Sequence, residues 1–171
     1  MTIRVSKPAF NLREKLSELD YNQVPFQKMP SGSIIQVGYA QTKTQQSMSS
    51  NSWTNASDMF VDISPRFASS KMLITVHTVS QLTGNRVRFD IHKSTTNSRI
   101  SDHANDNGVN YGISAFEGAN INHVVSFTIR DTANTTENIR YQLQWINTGG
   151  NQSFIQAGYS VGTITVMEIK E

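Results

Sequence analysis

The chain of 171 residues contains no cysteine, and no apolar run in it approaches the length of a membrane span. Without thiols it can form neither disulfides nor thiolate metal sites, and synthesis in a reducing cytosol is favoured. A helix that crosses a bilayer needs roughly 18 or more consecutive apolar residues, so the sequence predicts no transmembrane helix. The first ten residues also lack the apolar stretch of a secretory signal peptide, and we expect none there.

Charge is also scarce. Only 16% of the residues are charged, the net charge is +2, and lysine and arginine are spread along the chain. A protein that binds nucleic acid usually gathers its basic side chains on one face, so we expect no nucleic-acid partner. Serine, threonine, asparagine and glutamine are abundant instead. That composition suits the exterior of a particle or a rigid extracellular module, but it also follows from a β-rich fold alone.

What is present, from residue 32 onward, is a repeated alternation of apolar and polar side chains. A period of two is typical of β-strands with one buried and one solvated face. Several such runs separated by turn-rich loops predict an all-β protein, and about eight runs match the strand number of a jelly-roll sandwich. The runs cover residues 35–39, 59–63, 72–79, 86–93, 121–130, 139–146, 154–159 and 162–169.

Three local features refine this prediction. Ile35, Val37 and Tyr39 form one stripe of the first strand, and Gly84-Asn85 predicts a tight turn between two strands. Residues 94–120 are the longest stretch with a weak pattern.

Residues 1–30 differ from the rest and are predicted to form an N-terminal arm, with the β domain occupying residues 31–171. Asn11 and Glu14 have capping-box spacing, and three leucines follow at helical spacing: Leu12, Leu16 and Leu19. A helix of two to three turns is not stable alone, so the leucines must dock on something. They pack either on their own β domain or on a neighbouring subunit or another protein.

No arrangement of residues points to catalysis, a metal or a cofactor, and we expect none of them. The four histidines have no zinc-ligand spacing, and we expect structural roles for them. Asp58 and Asp62 share a strand face, where solvation is the expected role and a glycosidase carboxylate pair the alternative. The loop residues Asp102, Asp106 and Asn107 lack the closing glutamate of a calcium-binding EF-hand. The histidines are His77, His92, His103 and His123.

Three aromatic residues lie in polar stretches: Trp53, Tyr111 and Phe116. Exposed rings can stack on sugar faces or anchor an interface, which makes these residues candidate receptor or interface contacts. The alternative is that they cap the ends of the hydrophobic core.

Three segments together resemble a β module of virion surface proteins in tailed bacteriophages. They are residues 29–37 (MPSGSIIQV), the pair 60–65 (FVDISP) and 69–74 (SSKMLI), and residues 162–169 (GTITVMEI). Their order and spacing carry the resemblance, which covers residues 29–169. It implies a jelly-roll tail-fibre or receptor-binding head, usually a homotrimer, or a capsid decoration protein. The family carries no catalytic residues.

We therefore expect a non-enzymatic structural protein on the virion surface, made in the host bacterial cytoplasm. A short tail-fibre or receptor-binding role is favoured over capsid decoration. Residues 1–30 would attach the protein to other virion proteins of the tail, baseplate or capsid, and host-surface glycan is the expected receptor. The rival interpretations are a glycan hydrolase on a β scaffold and a free carbohydrate-binding module.

Overall fold

The structure is a computed structural model that describes residues 25–101, 112–148, 152–156, 158 and 160–171, with the backbone alone for residues 83–85 and 114–121. The predicted helix with Leu12, Leu16 and Leu19 lies outside the described residues. So do Tyr111, His103 and the predicted loop ligands Asp102, Asp106 and Asn107.

The prediction of an all-β protein is confirmed. The described residues contain no α-helix, and the 3-10 turn Phe26–Lys28 precedes nine strands. The strands are β1 (Ile34–Thr42), β2 (Gln46–Met48), β3 (Thr54–Ile63), β4 (Lys71–Lys93), β5 (Ser98–Arg99), β6 (Ser114–Thr132), β7 (Ile139–Asn147), β8 (Ser153–Ile155) and β9 (Gly162–Ile169).

Two antiparallel sheets form the body, and the long strands β4 and β6 belong to both. In the first sheet the order is β1-β9-β4-β6, where β4 pairs with β9 over residues 71–77. In the second sheet the order is β3-β7-β4-β6, where β4 pairs with β7 over residues 87–93. Strand β3 packs against β1 and β9 across the sandwich. The short strands β2 and β8 pair with each other, and β8 also pairs with the middle of β4.

The predicted turn at Gly84-Asn85 is wrong, because both residues lie inside β4. The pairing of β4 with β6 shifts register between Leu82 and Thr83 and again between Thr83 and Asn85. Such irregularities bend and twist a strand, which allows β4 to leave one sheet and enter the other. The weak stretch 94–120 contains β5 and the beginning of β6. In the predicted run 154–159, β8 ends at Ile155 and the next described residue, Gln156, lies outside the strand.

The core lies between the sheets and is built by the alternating residues of each strand. On β4 the inward residues Met72, Ile74 and Val76 have no exposed surface, nor do Phe89 and Ile91 further along. Burying a side chain of this size stabilises the fold by roughly 1.5–3 kcal/mol before the entropy of ordering is subtracted. The rings of Phe89 and Trp145 stack on adjacent strands with centroids 6.5 Å apart and planes inclined by 7°.

One buried carboxylate organises the lower end of the sandwich, which is the end where β1 and β4 begin and β9 finishes. Glu168 has no exposed surface, and its Oε1 accepts hydrogen bonds from the Arg66 amide (2.7 Å), the Phe67 amide (3.2 Å) and Ser70 Oγ (2.6 Å). Its Oε2 accepts a bond from Gln36 Nε2 at 2.5 Å. The last strand, the first strand and the β3–β4 connection are therefore tied together at one point.

Candidate functional site

The outward side chains of the first sheet form four rows across β1, β9, β4 and β6, and we call this surface the outer face. Directly paired residues on adjacent strands have Cβ atoms about 5 Å apart, so each row is continuous. From the lower end upward the rows are Ile34–Ile169–Lys71–Thr132, Val37–Met167–Leu73–Arg130, Tyr39–Thr165–Thr75–Thr128 and Gln41–Thr163–His77–Ser126.

Five apolar residues of the first two rows are neighbours and form what we call the apolar corner: Ile34, Val37, Leu73, Met167 and Ile169. Ile34 is 53% exposed and Val37 57%, and the neighbouring Tyr39 is also 57% exposed. The other three corner residues are half-buried. A contiguous exposed apolar patch is typical of an interaction surface, whereas a single exposed apolar residue is not.

The first strand differs here from its predicted stripe. A register shift between Ile34 and Gln36 inserts one extra residue into β1. Ile35 is therefore buried, while Val37 and Tyr39, which share its parity in the sequence, face outward. The same shift turns Gly38 toward the second sheet, where an added Cβ would overlap Val61 Cγ1.

The outer face is poor in charge. Among its four rows of four residues, Lys71 and Arg130 are the only Lys, Arg, Asp or Glu side chains, and both lie on the side away from β1. Lys71 pairs with Glu171 at 3.0 Å. The upper rows carry hydroxyl and amide groups, including a cross-strand contact of 3.0 Å between Thr75 Oγ1 and Thr128 Oγ1. Depletion of charge around an apolar centre is the compositional sign of an interface.

The outward side of the second sheet has the opposite character, because it is ionic and amide-rich. Arg140 donates to both carboxylate oxygens of Asp62, at 2.8 Å and 2.7 Å, and its guanidinium lies 4.1 Å from the centroid of Phe60. Gln144 Nε2 donates to Asn55 Oδ1 at 2.7 Å. Asp62 and Arg140 satisfy each other, and both side chains are exposed, as expected of a surface that remains wet.

Asp62 is unsuited to general-acid chemistry. Hydrogen bonds from the Arg140 guanidinium lower the pKa of the Asp62 carboxyl below its ordinary value. The acid of a glycosidase pair needs a raised pKa so that it holds a proton near neutral pH. Asp58 is exposed on the same strand. The arrangement favours the predicted solvating role over the carboxylate pair.

The predicted contact residue Trp53 is half-buried, and its ring packs against the Arg99 side chain. The Arg99 guanidinium lies 4.8 Å from the ring centroid, and Arg99 Nε lies 3.8 Å from Oδ2 of the fully buried Asp90. Burial raises the pKa of Asp90, whose carboxylate also accepts hydrogen bonds from the Ile91 amide (2.7 Å) and from Ser101 Oγ. One face of the Trp53 ring is therefore covered by Arg99, which narrows the surface that a sugar could stack on.

Phe116 lies on β6 opposite Val87, and its side chain is outside the described part of the structure. Of the three predicted aromatic contacts, the structure thus places the side chain of Trp53 alone. Its role as a receptor or interface contact stays a prediction, as do the roles of Tyr111 and Phe116.

A cleft of about 290 Å³ lies at the lower end, lined mainly by hydroxyl, amide and carboxylate groups. The one buried cation at its edge, Lys93, is already saturated: Nζ lies 2.8 Å from Asp131 Oδ2, 2.7 Å from the Thr132 carbonyl and 3.1 Å from the Ala133 carbonyl. Because an ammonium has three donors, none remains for a ligand. Tyr141 also donates to Asp131, and burial raises its pKa well above the ordinary value. The lining residues are Lys93, Thr95, Thr96, Ala133, Asn134, Thr135 and Glu137.

The described histidines are separated. His77 is exposed on the outer face, and His92 Nε2 lies 3.3 Å from Asn97 Oδ1. Within the described ranges, no three His, Cys, Asp or Glu side chains are grouped closely enough to hold a metal ion.

The sequence pattern did not identify the outer face as a site. Its signal was present nonetheless, because apolar residues occupy both parities at the two ends of the body: Ile34-Ile35 with Val37, and Val166-Met167 with Ile169. A strand with one solvated face has apolar residues at one parity only.

The comparisons with known proteins add no relative. No family model matches the chain, and no curated protein matches it. Among the described residues, no helix has both the length and the apolar character needed to cross a membrane.

Proposed function

We propose that this chain is a non-enzymatic structural subunit of the virion surface of a tailed bacteriophage, assembled as a homotrimer. The observation that carries the proposal is the contrast between the two sides of the sandwich. The second sheet presents paired ions and amides, whereas the outer face of the first sheet presents an apolar corner with few charges. A protein that works alone in water has no need of such a face, but a subunit of an assembly does.

We further propose that the sandwich is a jelly roll. Counting β4 and β6 once in each sheet gives eight strand segments, in the orders β1-β9-β4-β6 and β3-β7-β4-β6. The first strand lies beside the last, and strands that are distant in sequence alternate between the sheets. This order supports the double Greek key of a jelly roll.

The segments that resemble the phage module also have a physical reason to recur together. Glu168 in the last segment binds Gln36 of the first segment and Ser70 of the middle pair, and it also binds the Arg66 amide, which directly follows Pro65. Residues from all three resembling segments thus meet at the Glu168 carboxylate. This contact supports a fold shared with the phage module, whereas the proposed function rests on the outer face.

Within this proposal we favour a short tail-fibre or receptor-binding role over capsid decoration. Residues 1–30 would attach the protein to other virion proteins, and the end of the body that carries Trp53 would face the host glycan. The ring of Trp53 is half-exposed, and the face that Arg99 does not cover would be the surface that stacks on a sugar. The outer face is compatible with either role, and decoration of the capsid stays the alternative.

Immuno-gold labelling of intact particles with an antibody against residues 31–171 tests the proposal. We expect gold at the tail end of the particle. Gold spread over the head would replace the tail-fibre role with capsid decoration. Particles that carry no gold, when the same antibody labels the purified protein, would contradict a virion location altogether.

A further inference from the structure

The apolar corner needs an occupant, and we propose that it is the leucine-bearing segment 11–20 of a neighbouring copy of the chain. Each subunit would then carry the arm of the next one across its outer face. The inference rests on the proposed assembly function and adds to it the surface that receives the arm.

The dimensions of the corner and of the segment agree. The corner extends over three adjacent strands, β1, β9 and β4, and strands about 4.8 Å apart make it about 10 Å wide. If residues 11–20 are helical, as their spacing predicts, Leu12 and Leu19 are about 10 Å apart along the helix axis at 1.5 Å per residue. A helix lying across the strands would place one leucine over each of them.

The path of residues 25–33 favours a neighbour over the same subunit. Ile169 points to the outer face, so the next residue, Lys170, points to the other side, where its Nζ lies 5.8 Å from the Phe67 ring. That ammonium binds the carbonyls of Gln27 at 2.7 Å and Met29 at 2.6 Å. Phe26 in turn lies 5.1 Å from the Arg66 guanidinium. Residues 26–29 are therefore held beneath the lower end, on the side of the sheet away from its outer face.

The remaining connection is short. Between residue 20 and Pro25, five residue steps span at most about 17 Å when fully extended. Because the connection starts on the side away from the outer face, the segment would have to pass around the lower end to reach its own corner. The corner of a subunit packed directly against that end would lie within reach without this detour.

The absence of cysteine from the natural chain provides a clean test. Two single-cysteine chains, Lys15→Cys and Thr165→Cys, would be expressed together in the full-length protein, with tags that give them different masses. Neither substitution removes a leucine of the arm or a residue of the apolar corner. Both positions are nevertheless close to the proposed contact, because Lys15 adjoins Leu16 and Thr165 lies in the row beside the corner. A short bismaleimide reagent would then link cysteines that lie close together.

We expect a cross-linked heterodimer of the two tagged chains. The matched control is Lys15→Cys with Asp58→Cys, which lies exposed on the second sheet and should give less than a tenth of that product. A third sample is the double variant Lys15→Cys/Thr165→Cys. If its two cysteines are linked within one chain, and the mixture of single-cysteine chains gives no heterodimer, each arm covers its own corner. That result overturns the inference.

The oligomeric state, measured on the same unmodified full-length chain by sedimentation equilibrium, separates the two proposals. An oligomer that gives no cross-link between these positions would overturn the arm exchange and leave the assembly function standing. A monomer at every concentration would overturn both.

Discussion

Glu168 is the single side chain on which most of the lower end depends. It is fully buried, and its two oxygens together accept hydrogen bonds from four donors, one on β1 and three in the β3–β4 connection. We expect Glu168→Gln to lower the free energy of unfolding by about 2–3 kcal/mol. The NH₂ group of glutamine would replace one carboxylate oxygen, and the buried donors that this oxygen had bound would then lack an acceptor. Urea denaturation measures this change.

Glu137→Gln is the matched control, since Glu137 is exposed in the loop that precedes β7. It should change the free energy of unfolding by no more than about 0.5 kcal/mol. If Glu168→Gln is equally mild, the carboxylate is not the structural centre of the lower end.

The Asp62–Arg140 pair gives a prediction about pH. Because Arg140 lowers the pKa of Asp62, the native state binds this proton less readily than the unfolded chain, whose Asp pKa is about 3.9. The stabilisation is therefore present above that value and is lost as the pH falls through the native pKa. We expect Asp62→Asn to lower the melting temperature at pH 6, and we expect this effect to shrink progressively as the pH falls below about 3.9.

Arg140→Gln provides the control for this pair. At pH 6 it should lower the melting temperature as Asp62→Asn does, and the double variant should be no less stable than either single one. Additive losses would mean that the two side chains act through other partners.

Between the two sheets, β1 approaches β3 closely at Gly38. A Cβ at this position would overlap Val61 Cγ1, and Val61 is buried. We expect Gly38→Ala to reduce the free energy of unfolding by about 1–3 kcal/mol through overpacking. In the double variant Gly38→Ala/Val61→Ala the added methyl fills part of the space left by valine, so the two losses should be less than additive in thermal or urea unfolding.

The sequence predicts the strands well because most of them keep a strict period of two around a buried core. Its errors occur where the chain departs from regular pairing. The extra residue at Ile35 reverses the facing of Val37 and Tyr39, and the alternation of residues 35–39 alone does not reveal it. Gly84-Asn85 has the composition of a turn, yet pairing with β6 on one side keeps β4 continuous through it.

The candidate site was harder to predict than the fold for a similar reason. Alternation arguments assume that the outward residues of a strand are polar, so the apolar residues Val37, Met167 and Ile169 attract no attention individually. They become a site only when the register places them side by side on β1 and β9. The pairing of distant strands is information that a strand pattern does not contain.

The arm provides a prediction at the level of a whole element. If Leu16 is buried between subunits, Leu16→Asp should weaken assembly by at least tenfold, because it places a charge in an apolar contact. It should leave the melting temperature of the β body nearly unchanged. Sedimentation equilibrium and thermal unfolding of the full-length variant measure the two effects separately. Equal losses of assembly and of melting temperature would show that the arm belongs to the core of its own subunit.

For the whole molecule, the difference between its two sides leads to the most direct test of the assembly proposal. Val37 is 57% exposed at the centre of the edge strand, so Val37→Glu removes no core packing. It introduces a charge on the β1 side of the apolar corner, where an interface would have to bury it. We expect the dissociation constant of the oligomer to rise at least tenfold, while the free energy of unfolding of the subunit changes by no more than about 0.5 kcal/mol.

The matched control for Val37→Glu is Ser57→Glu, which adds the same charge at an exposed position on the second sheet. That surface already carries the Asp62–Arg140 pair and stays hydrated, so the control should leave the dissociation constant unchanged. Sedimentation equilibrium over a range of concentrations measures both variants. If Ser57→Glu dissociates the oligomer and Val37→Glu does not, the subunits meet through the ionic side of the sandwich. The apolar corner would then need a different partner.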